Sequence, residues 1–68
     1  ELAERCRGRL AVLHSANRLD DINIPGLRFH RLRGGNPPRY AIKVNGPWRI
    51  TFEWHEGEPW AVDLEQYH

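Results

Sequence analysis

Cysteine is nearly absent from this sequence, since Cys6 is the only one among 68 residues. A single cysteine excludes an internal disulfide and a cysteine metal cluster, and it favours a reducing compartment. The four histidines have none of the short spacings typical of metal ligands, so we predict neither a metal site nor a cofactor. No apolar run approaches the roughly 18 residues of a membrane span, and no signal-peptide pattern is present. We therefore expect a cytoplasmic protein without a membrane segment.

Length sets the next limit, because 68 residues allow one domain at most, spanning 1–68. A chain of this size buries only about 60% of the surface that its unfolded form exposes. Its stability is therefore expected to be marginal without a partner or another aid. The first residue is Glu1 rather than methionine, which is compatible with a fragment of a longer protein.

Charge is separated along the chain, although the formal net charge is only +1. Residues 28–52 contain no acidic side chain, and residues 53–68 contain no lysine or arginine. The basic side chains of the first segment are Arg28, Arg31, Arg33, Arg39, Lys43 and Arg49. Such a segment in a near-neutral chain predicts an anionic partner, most commonly nucleic acid. The alternative is that acidic and basic strands pair across one sheet, and composition leaves both open.

Residues 48–54 alternate large apolar and polar side chains, which predicts a strand. The apolar face holds Trp48, Ile50, Phe52 and Trp54, and the polar face holds Arg49, Thr51 and Glu53. This strand is expected to carry the largest share of the core. It also places Arg49 in the middle of a rigid polar surface.

The remaining elements follow from periodicity and turn residues. Helical spacing of apolar residues predicts a helix from Glu1 to about Asn17. Segments rich in Gly, Pro and Asn separate further strands, predicted at Leu27–Leu32, Arg39–Val44 and Trp60 to about Glu65. The predicted fold class is α+β, with an N-terminal helix packed on a four-stranded antiparallel sheet.

Alternation also predicts strand register, because a slip of one residue moves a whole apolar set to solvent. A three-residue loop, Asn45 to Pro47, would pair Val44 with Trp48, Ile42 with Ile50, Tyr40 with Phe52, Ala41 with Thr51 and Lys43 with Arg49. The last hairpin would pair Trp54 with Trp60, Phe52 with Val62, Ile50 with Leu64, Thr51 with Asp63 and Arg49 with Glu65. Tyr40, Trp54 and Trp60 are then expected in the core. Lys43 beside Arg49 is a like-charge pair, which is unfavourable unless an anion lies between them.

Several short stretches resemble the HigB branch of the RelE/ParE toxin superfamily, the plasmid-maintenance killer proteins of type II toxin–antitoxin modules. They are Leu32-Arg33-Gly34, Tyr40-Ala41-Ile42, Asn45 to Phe52 and the closing Tyr67-His68, in order and with family-like spacing. The resemblance implies a RelE/ParE-like fold with a further strand and helix ahead of Glu1, both absent from these 68 residues. Gln66 departs from the usual aspartate, and Arg33 from a frequent lysine.

The resemblance also implies an activity, cleavage of mRNA on the ribosome, and a partner, a HigA-like helix-turn-helix antitoxin. Cleaving RNA without a metal needs a base for the ribose 2′-OH, a cation for the scissile phosphate and an acid for the 5′-oxygen. We predict Arg49 as the cation. Candidate acid, base or stacking groups are Tyr67, His68 and His30, and candidate phosphate contacts are Arg33, Arg39 and Lys43.

Each assignment has a structural alternative that the sequence leaves open. Arg49 would instead form a cross-strand salt bridge with Glu65, His30 would be a partly buried strand residue, and the other basic residues would be solvated surface charges. Tyr67 and His68 would be a frayed end. Two other functions also fit, a ParE-like gyrase inhibitor and a catalytically degenerate RNA-binding homologue. The Tyr67-His68 ending favours the nuclease, because gyrase inhibitors of this superfamily usually lack it.

Overall fold

The fold is one helix followed by a four-stranded sheet in a computed structural model that describes residues 1–67. The elements are α1 (Leu2–Ser15), a 3₁₀ helix (Leu19–Ile22), β1 (His30–Arg31), β2 (Tyr40–Asn45), β3 (Trp48–His55) and β4 (Glu58–Gln66). All neighbouring strands are antiparallel, in the order β1-β2-β3-β4. Helix α1 packs against β2 and β4. The predicted α+β architecture is therefore confirmed.

Helix α1 begins where the Glu1 carboxylate accepts a hydrogen bond of 2.7 Å from the backbone N–H of Glu4. This satisfies one of the N–H groups that a helix start leaves without a partner. Nε of Arg9 donates to the carbonyl of Lys43 at 2.9 Å, which ties the helix to β2. The helix therefore covers the middle of the sheet from one side.

The core lies between α1 and the covered face of the sheet. Its buried members are Leu13, Ile22, Leu27, Ile42, Val44, Ile50 and Phe52. Trp48 and Trp54 are only partly buried and pack against this cluster from its rim. The prediction that Trp60 belongs to the core is wrong, because this residue is 50% exposed. Strand β3 supplies the centre of the core, but through Ile50 and Phe52 rather than through its tryptophans.

The β2–β3 register follows the predicted parity with one exception. Tyr40, Ala41, Ile42 and Lys43 lie opposite Phe52, Thr51, Ile50 and Arg49. The predicted Val44–Trp48 pair is wrong, because Asn45 lies opposite Trp48 and the register shifts between Lys43 and Asn45. This bulge keeps the Val44 side chain buried at 2% exposure while the chain turns at Gly46, whose φ is +52°.

The predicted β3–β4 register is correct at the end near Arg49 and wrong at the other end. Arg49–Glu65, Ile50–Leu64 and Thr51–Asp63 form as predicted, and the register then shifts between Thr51 and Glu53. The predicted pairs of Trp54 with Trp60 and of Phe52 with Val62 are therefore wrong. Trp54 lies opposite Pro59, and Trp60 lies opposite Glu53. The cause is an extra residue in β4 near Ala61, whose φ is +49°.

Strand β1 is shorter than the predicted Leu27–Leu32. Arg28 has a φ of +50°, which interrupts an extended strand. Contact with β2 nevertheless continues on both sides, since the N–H of Lys43 donates to the carbonyl of Leu27 and the N–H of Leu32 to that of Arg39. Leu27 is buried as predicted.

Candidate functional site

The open face of the sheet, opposite α1, carries polar side chains in rows that cross the strands. One row contains Lys43, Arg49 and Glu65, and the next contains His30, Ala41, Thr51 and Asp63. Ala41 and Thr51 have no exposed surface, although neither helix of the described residues packs on this side. Longer side chains from neighbouring rows, among them Arg39 and Glu65, lie against the Thr51 hydroxyl. The centre of the open face is therefore a packed polar layer.

Arg49 is held by the turn between β2 and β3. Its Nη1 donates to the carbonyl of Gly46 at 2.8 Å and to that of Trp48 at 3.0 Å. The side chain is partly exposed. The alternative of a salt bridge with Glu65 is not formed among residues 1–67, where Arg39 and His55 are the residues paired with a carboxylate. The Glu65 carboxylate instead accepts a hydrogen bond from the Thr51 hydroxyl.

Lys43 and Tyr67 lie at the same end of the open face as Arg49. Lys43 is directly opposite Arg49, so their Cβ atoms are about 4.5–5.5 Å apart. The N–H of Tyr67 donates to the carbonyl of Pro47 at 2.7 Å, which fixes the end of the described chain at the same turn. Alternation after Glu65 puts Tyr67 on the open face. We call Lys43, Arg49, Glu65 and Tyr67 the turn-end cluster; His68 follows it but lies outside the described residues.

His30 and Arg33 lie away from this cluster. His30 is exposed on β1, and its Nδ1 donates to the carbonyl of Arg28 at 2.9 Å. It is separated from Arg49 by two strand spacings, about 10 Å. Arg33 is exposed in the turn that follows β1, at the end of the sheet opposite the β2–β3 turn. The structure therefore does not bring these two residues together with Arg49.

Arg39 is engaged within the protein. Its Nη1 donates to the Glu53 carboxylate at 3.3 Å. Its Nη2 donates to the Thr51 hydroxyl and to the carbonyl of Ala61, both at 3.0 Å. The Arg39 guanidinium thus connects the start of β2 with strand β3 and with the bulge of β4. This placement favours a role in holding the sheet over a contact with phosphate.

His55 and Glu53 form a pair that the sequence analysis did not assign. Nε2 of His55 donates to the Glu53 carboxylate at 2.8 Å. This hydrogen bond, followed by the charges of His55 and Arg39, lowers the pKa of Glu53 below its usual value. The signal was available in the sequence, because residues 53 and 55 lie on one face of a strand. The pair lies at the far end of β3 from Arg49.

The turn-end cluster contains the kinds of side chain that can bind and cleave a phosphodiester. It combines a fixed guanidinium, a second cation, a carboxylate and a phenol. A guanidinium presents a planar fork of donors that suits phosphate oxygens. Residues 1–67 contain no group of three or more His, Cys, Asp or Glu side chains arranged to bind a metal. Over the same residues, no helix has the length and apolarity needed to cross a membrane.

Comparison with known proteins gives the family of this chain. The sequence model of the HigB-like toxins, described as RelE-like toxins of the type II toxin–antitoxin system HigB, matches residues 1–68. The chain belongs to this family. It is also 29% identical over 65 residues to the Endoribonuclease HigB of Proteus vulgaris, an alignment that covers 96% of this chain and 71% of that protein. As a HigB-like toxin of a type II system, the protein has an antitoxin as its implied partner.

Proposed function

We propose that this HigB-like toxin is an endoribonuclease that cleaves mRNA on the ribosome without a metal ion. The observation that carries the proposal is the Arg49 guanidinium, fixed by two backbone carbonyls on the open face with Lys43 directly beside it. Two adjacent cations oppose folding unless an anion lies between them. A phosphate of the message is the anion that suits both. The name of the Proteus vulgaris relative, an endoribonuclease, supports the same reaction.

Arg49 would act on the charge that develops at the scissile phosphate. A donor that is already oriented costs no reorganisation as the reaction proceeds, and loss of one such donor typically lowers the rate about 10²–10³-fold. The ribose 2′-oxygen attacks the phosphorus, and the bond to the 5′-oxygen breaks. The products are a 2′,3′-cyclic or 3′-phosphate and a 5′-hydroxyl.

The other predicted residues take supporting roles. Lys43 would hold a neighbouring phosphate, and Tyr67 and His68 would transfer protons or stack on a base. His30 and Arg33 lie far enough from Arg49 that they would contact nucleotides other than the one cleaved. Arg39 would reach a phosphate only by leaving its bonds to Glu53, Thr51 and Ala61. Its predicted phosphate contact is therefore the weakest of the set.

The proposed setting is the cytoplasm, where ribosomes carry the substrate. The antitoxin that neutralises the protein would be a HigA-like helix-turn-helix protein. The ribosome would position the message against the open face, which explains how so small a surface selects its substrate. Neither a cofactor nor a metal takes part in the proposed reaction.

The test is expression of the complete toxin and of its Arg49→Ala variant, with primer extension on translated messages. We expect the wild type to arrest growth and to produce cuts inside translated reading frames. Arg49→Ala should abolish both effects. The matched control is Arg31→Ala, which removes the same charge from an exposed position of β1 paired with Tyr40, on the other face of the sheet. This control should remain toxic.

Two outcomes would contradict the proposal. Equal toxicity of Arg49→Ala and the wild type would remove Arg49 from the mechanism. Intact messages accompanied by double-strand breaks in DNA would identify the target as gyrase rather than mRNA.

A further inference from the structure

Glu65 is a carboxylate that lies beside a guanidinium without binding it. It is directly opposite Arg49 across β3 and β4, yet its Oε2 accepts a hydrogen bond from the Thr51 hydroxyl. Within residues 1–67, Oε1 takes part in no hydrogen bond. An arginine and a glutamate on opposed strand positions ordinarily pair with each other. The hydroxyl of Thr51 therefore directs this carboxylate to a place that pairing with Arg49 would not give it.

The Thr51 hydroxyl is itself oriented by a second group. Its oxygen accepts a hydrogen bond of 3.0 Å from Nη2 of Arg39, so its own proton is directed to Glu65. Thr51 has no exposed surface, and Arg39 is fixed by further bonds to Glu53 and to the carbonyl of Ala61. A chain of three side chains thus runs across the open face and ends at a partly exposed carboxylate. Its members need no movement to hold Glu65 in place.

We infer that Glu65 is the proton acceptor of the cleavage reaction, with Thr51 and Arg39 as positioning residues that hold it beside Arg49. The inference rests on the proposed function. It explains why Glu65 neither neutralises Arg49 nor is left to move in solvent. A base needs a fixed position and an oxygen available to the substrate, and Glu65 has both within the described residues.

The reaction step transfers one proton to Glu65 and one proton to the leaving 5′-oxygen. Oε1 of Glu65 takes the proton of the ribose 2′-OH as the bond between the 2′-oxygen and phosphorus forms. The bond from phosphorus to the 5′-oxygen breaks, and that oxygen takes a proton from the acid of the proposed site, Tyr67 or His68. Charged and titratable groups surround Glu65 on several elements: Arg49 on β3, Lys43 on β2, Asp63 on β4 and Tyr67 just after β4. Arg39 reaches it through the Thr51 hydroxyl.

The test compares single-turnover cleavage on programmed ribosomes at several pH values for the complete toxin and three variants. Glu65→Gln keeps an oxygen that accepts from Thr51 but removes the proton acceptor, so the maximal single-turnover rate should fall about 10²–10⁴-fold. The ribosome concentration that gives half of this rate should stay unchanged. Glu65→Asp keeps the carboxylate and should retain the pH dependence of the wild type at a reduced rate. Glu58→Gln removes the same charge from the exposed start of the same strand, opposite His55 and away from the turn-end cluster, and should cleave like the wild type.

Chemical rescue separates catalysis from structure. In a Glu65→Ala variant, added formate should restore part of the lost rate, because a small carboxylate can occupy the vacated space and accept the proton. The melting temperatures of all variants are measured beside the rates, so that a folding defect is recognised. A merely structural Glu65 would give rates that follow melting temperature and no rescue by formate.

The outcomes distinguish the inference from the function on which it rests. Wild-type protein that cuts, together with Glu65→Gln that cuts equally fast, overturns the role of Glu65 alone. A slow Glu65→Gln whose pH profile keeps the shape of the wild type, with no formate rescue of Glu65→Ala, overturns it as well. Wild-type protein that cuts no message on the ribosome overturns the proposed function and the inference together.

Discussion

Lys43 is the residue at which the proposed binding of RNA and the stability of the free protein make opposite demands. It lies opposite Arg49 in the β2–β3 register, where like charges are destabilising by roughly 0.2–1 kcal/mol. Arg49 is oriented by carbonyls rather than neutralised by a carboxylate. Its charge therefore continues to repel Lys43 until an anion binds. The two effects of Lys43 have opposite signs and can be measured separately.

Lys43→Gln removes this charge while keeping a side chain of similar length. We expect the free energy of unfolding to rise by roughly 0.2–1 kcal/mol, because the repulsion is relieved. We expect binding of single-stranded RNA to weaken, with the slope of log K against log salt reduced by about 0.7 for the lost phosphate contact. Denaturant unfolding and a salt titration of RNA binding measure the two effects.

A matched control for this variant is Arg31→Gln, since Arg31 is exposed on β1 and has no place in the turn-end cluster. It should leave the salt slope unchanged. A Lys43→Gln protein that is less stable than the wild type would mean that Lys43 and Arg49 do not repel each other in the free protein.

At the scale of elements, the two hairpins differ in how well the sequence predicts them. Both faces of β2 and β3 alternate cleanly, so burial allows one register, and Ile42–Ile50 and Lys43–Arg49 are found where parity places them. The bulge in β4 is carried by Ala61, a residue type with no preference for positive φ. Nothing in the local sequence marks it. That single extra residue moved Trp60 from the predicted core to the surface.

The candidate site was predictable in its strand register but not in its side-chain contacts. Register alone places Lys43, Arg49 and Glu65 in one row. It does not reveal that the Thr51 hydroxyl takes Glu65 away from Arg49, because that choice depends on side-chain rotamers. Nor does it reveal that Arg39 is occupied by Glu53, Thr51 and the bulge at Ala61. A long flexible side chain has too many possible partners for sequence spacing to select one.

The bulge gives a prediction for β4. Ala61 has a φ of +49°, and a non-glycine residue in this region costs roughly 1–2 kcal/mol. Ala61→Gly should therefore raise the free energy of unfolding, by about 0.5–1 kcal/mol after the entropic cost of glycine is deducted. Thermal and denaturant unfolding measure the change.

The matched control is Ala41→Gly in the regular part of β2. Ala41 is fully buried and lies within an unshifted run of pairs. Glycine at this position would therefore add its entropic cost of folding without relieving a positive φ, and it should lower stability. Equal destabilisation by both glycine substitutions would mean that residue 61 does not hold a positive φ in solution.

For the whole molecule, a small core makes each buried side chain matter. Phe52 has no exposed surface and contacts Tyr40 with ring centroids 5.9 Å apart. Phe52→Ala should cost about 3–5 kcal/mol, a large part of the 5–15 kcal/mol typical of a native domain. Trp60→Ala should cost less than about 1 kcal/mol, because half of that side chain is already in solvent. Denaturant unfolding ranks the two, and the reverse order would contradict the observed β3–β4 register.

The stability of the whole molecule should depend on pH, in part through the Glu53 carboxylate. The hydrogen bond from His55, and then the charges of His55 and Arg39, hold its pKa below the usual value in the folded state. In the unfolded chain the pKa returns to the ordinary value for glutamate, about 4.3. A group with a lowered folded pKa contributes stability above the unfolded pKa, and that contribution is lost as pH falls through the folded one.

Asp21, in the 3₁₀ helix, acts in the same direction. Backbone N–H groups of Arg18 and Asn17 donate to its carboxylate, each at 3.0 Å, and lower its pKa. The wild type should therefore lose stability as pH falls below about 5, through the range in which ordinary carboxylates titrate and on towards the lowered pKa values of the folded state. Glu53→Gln and Asp21→Asn should each make the decline shallower, and the double variant shallower still.

The control for this prediction is Glu56→Gln, which removes an equal charge from the exposed turn between β3 and β4. It accounts for the change in net charge without touching His55 or Arg39. Denaturant unfolding at pH 7, 5, 4 and 3 gives the slope for each protein, at about one pH unit per step across the carboxylate range. If Glu53→Gln and Glu56→Gln both decline as steeply as the wild type, the His55–Glu53 hydrogen bond is not what stabilises the sheet in neutral solution.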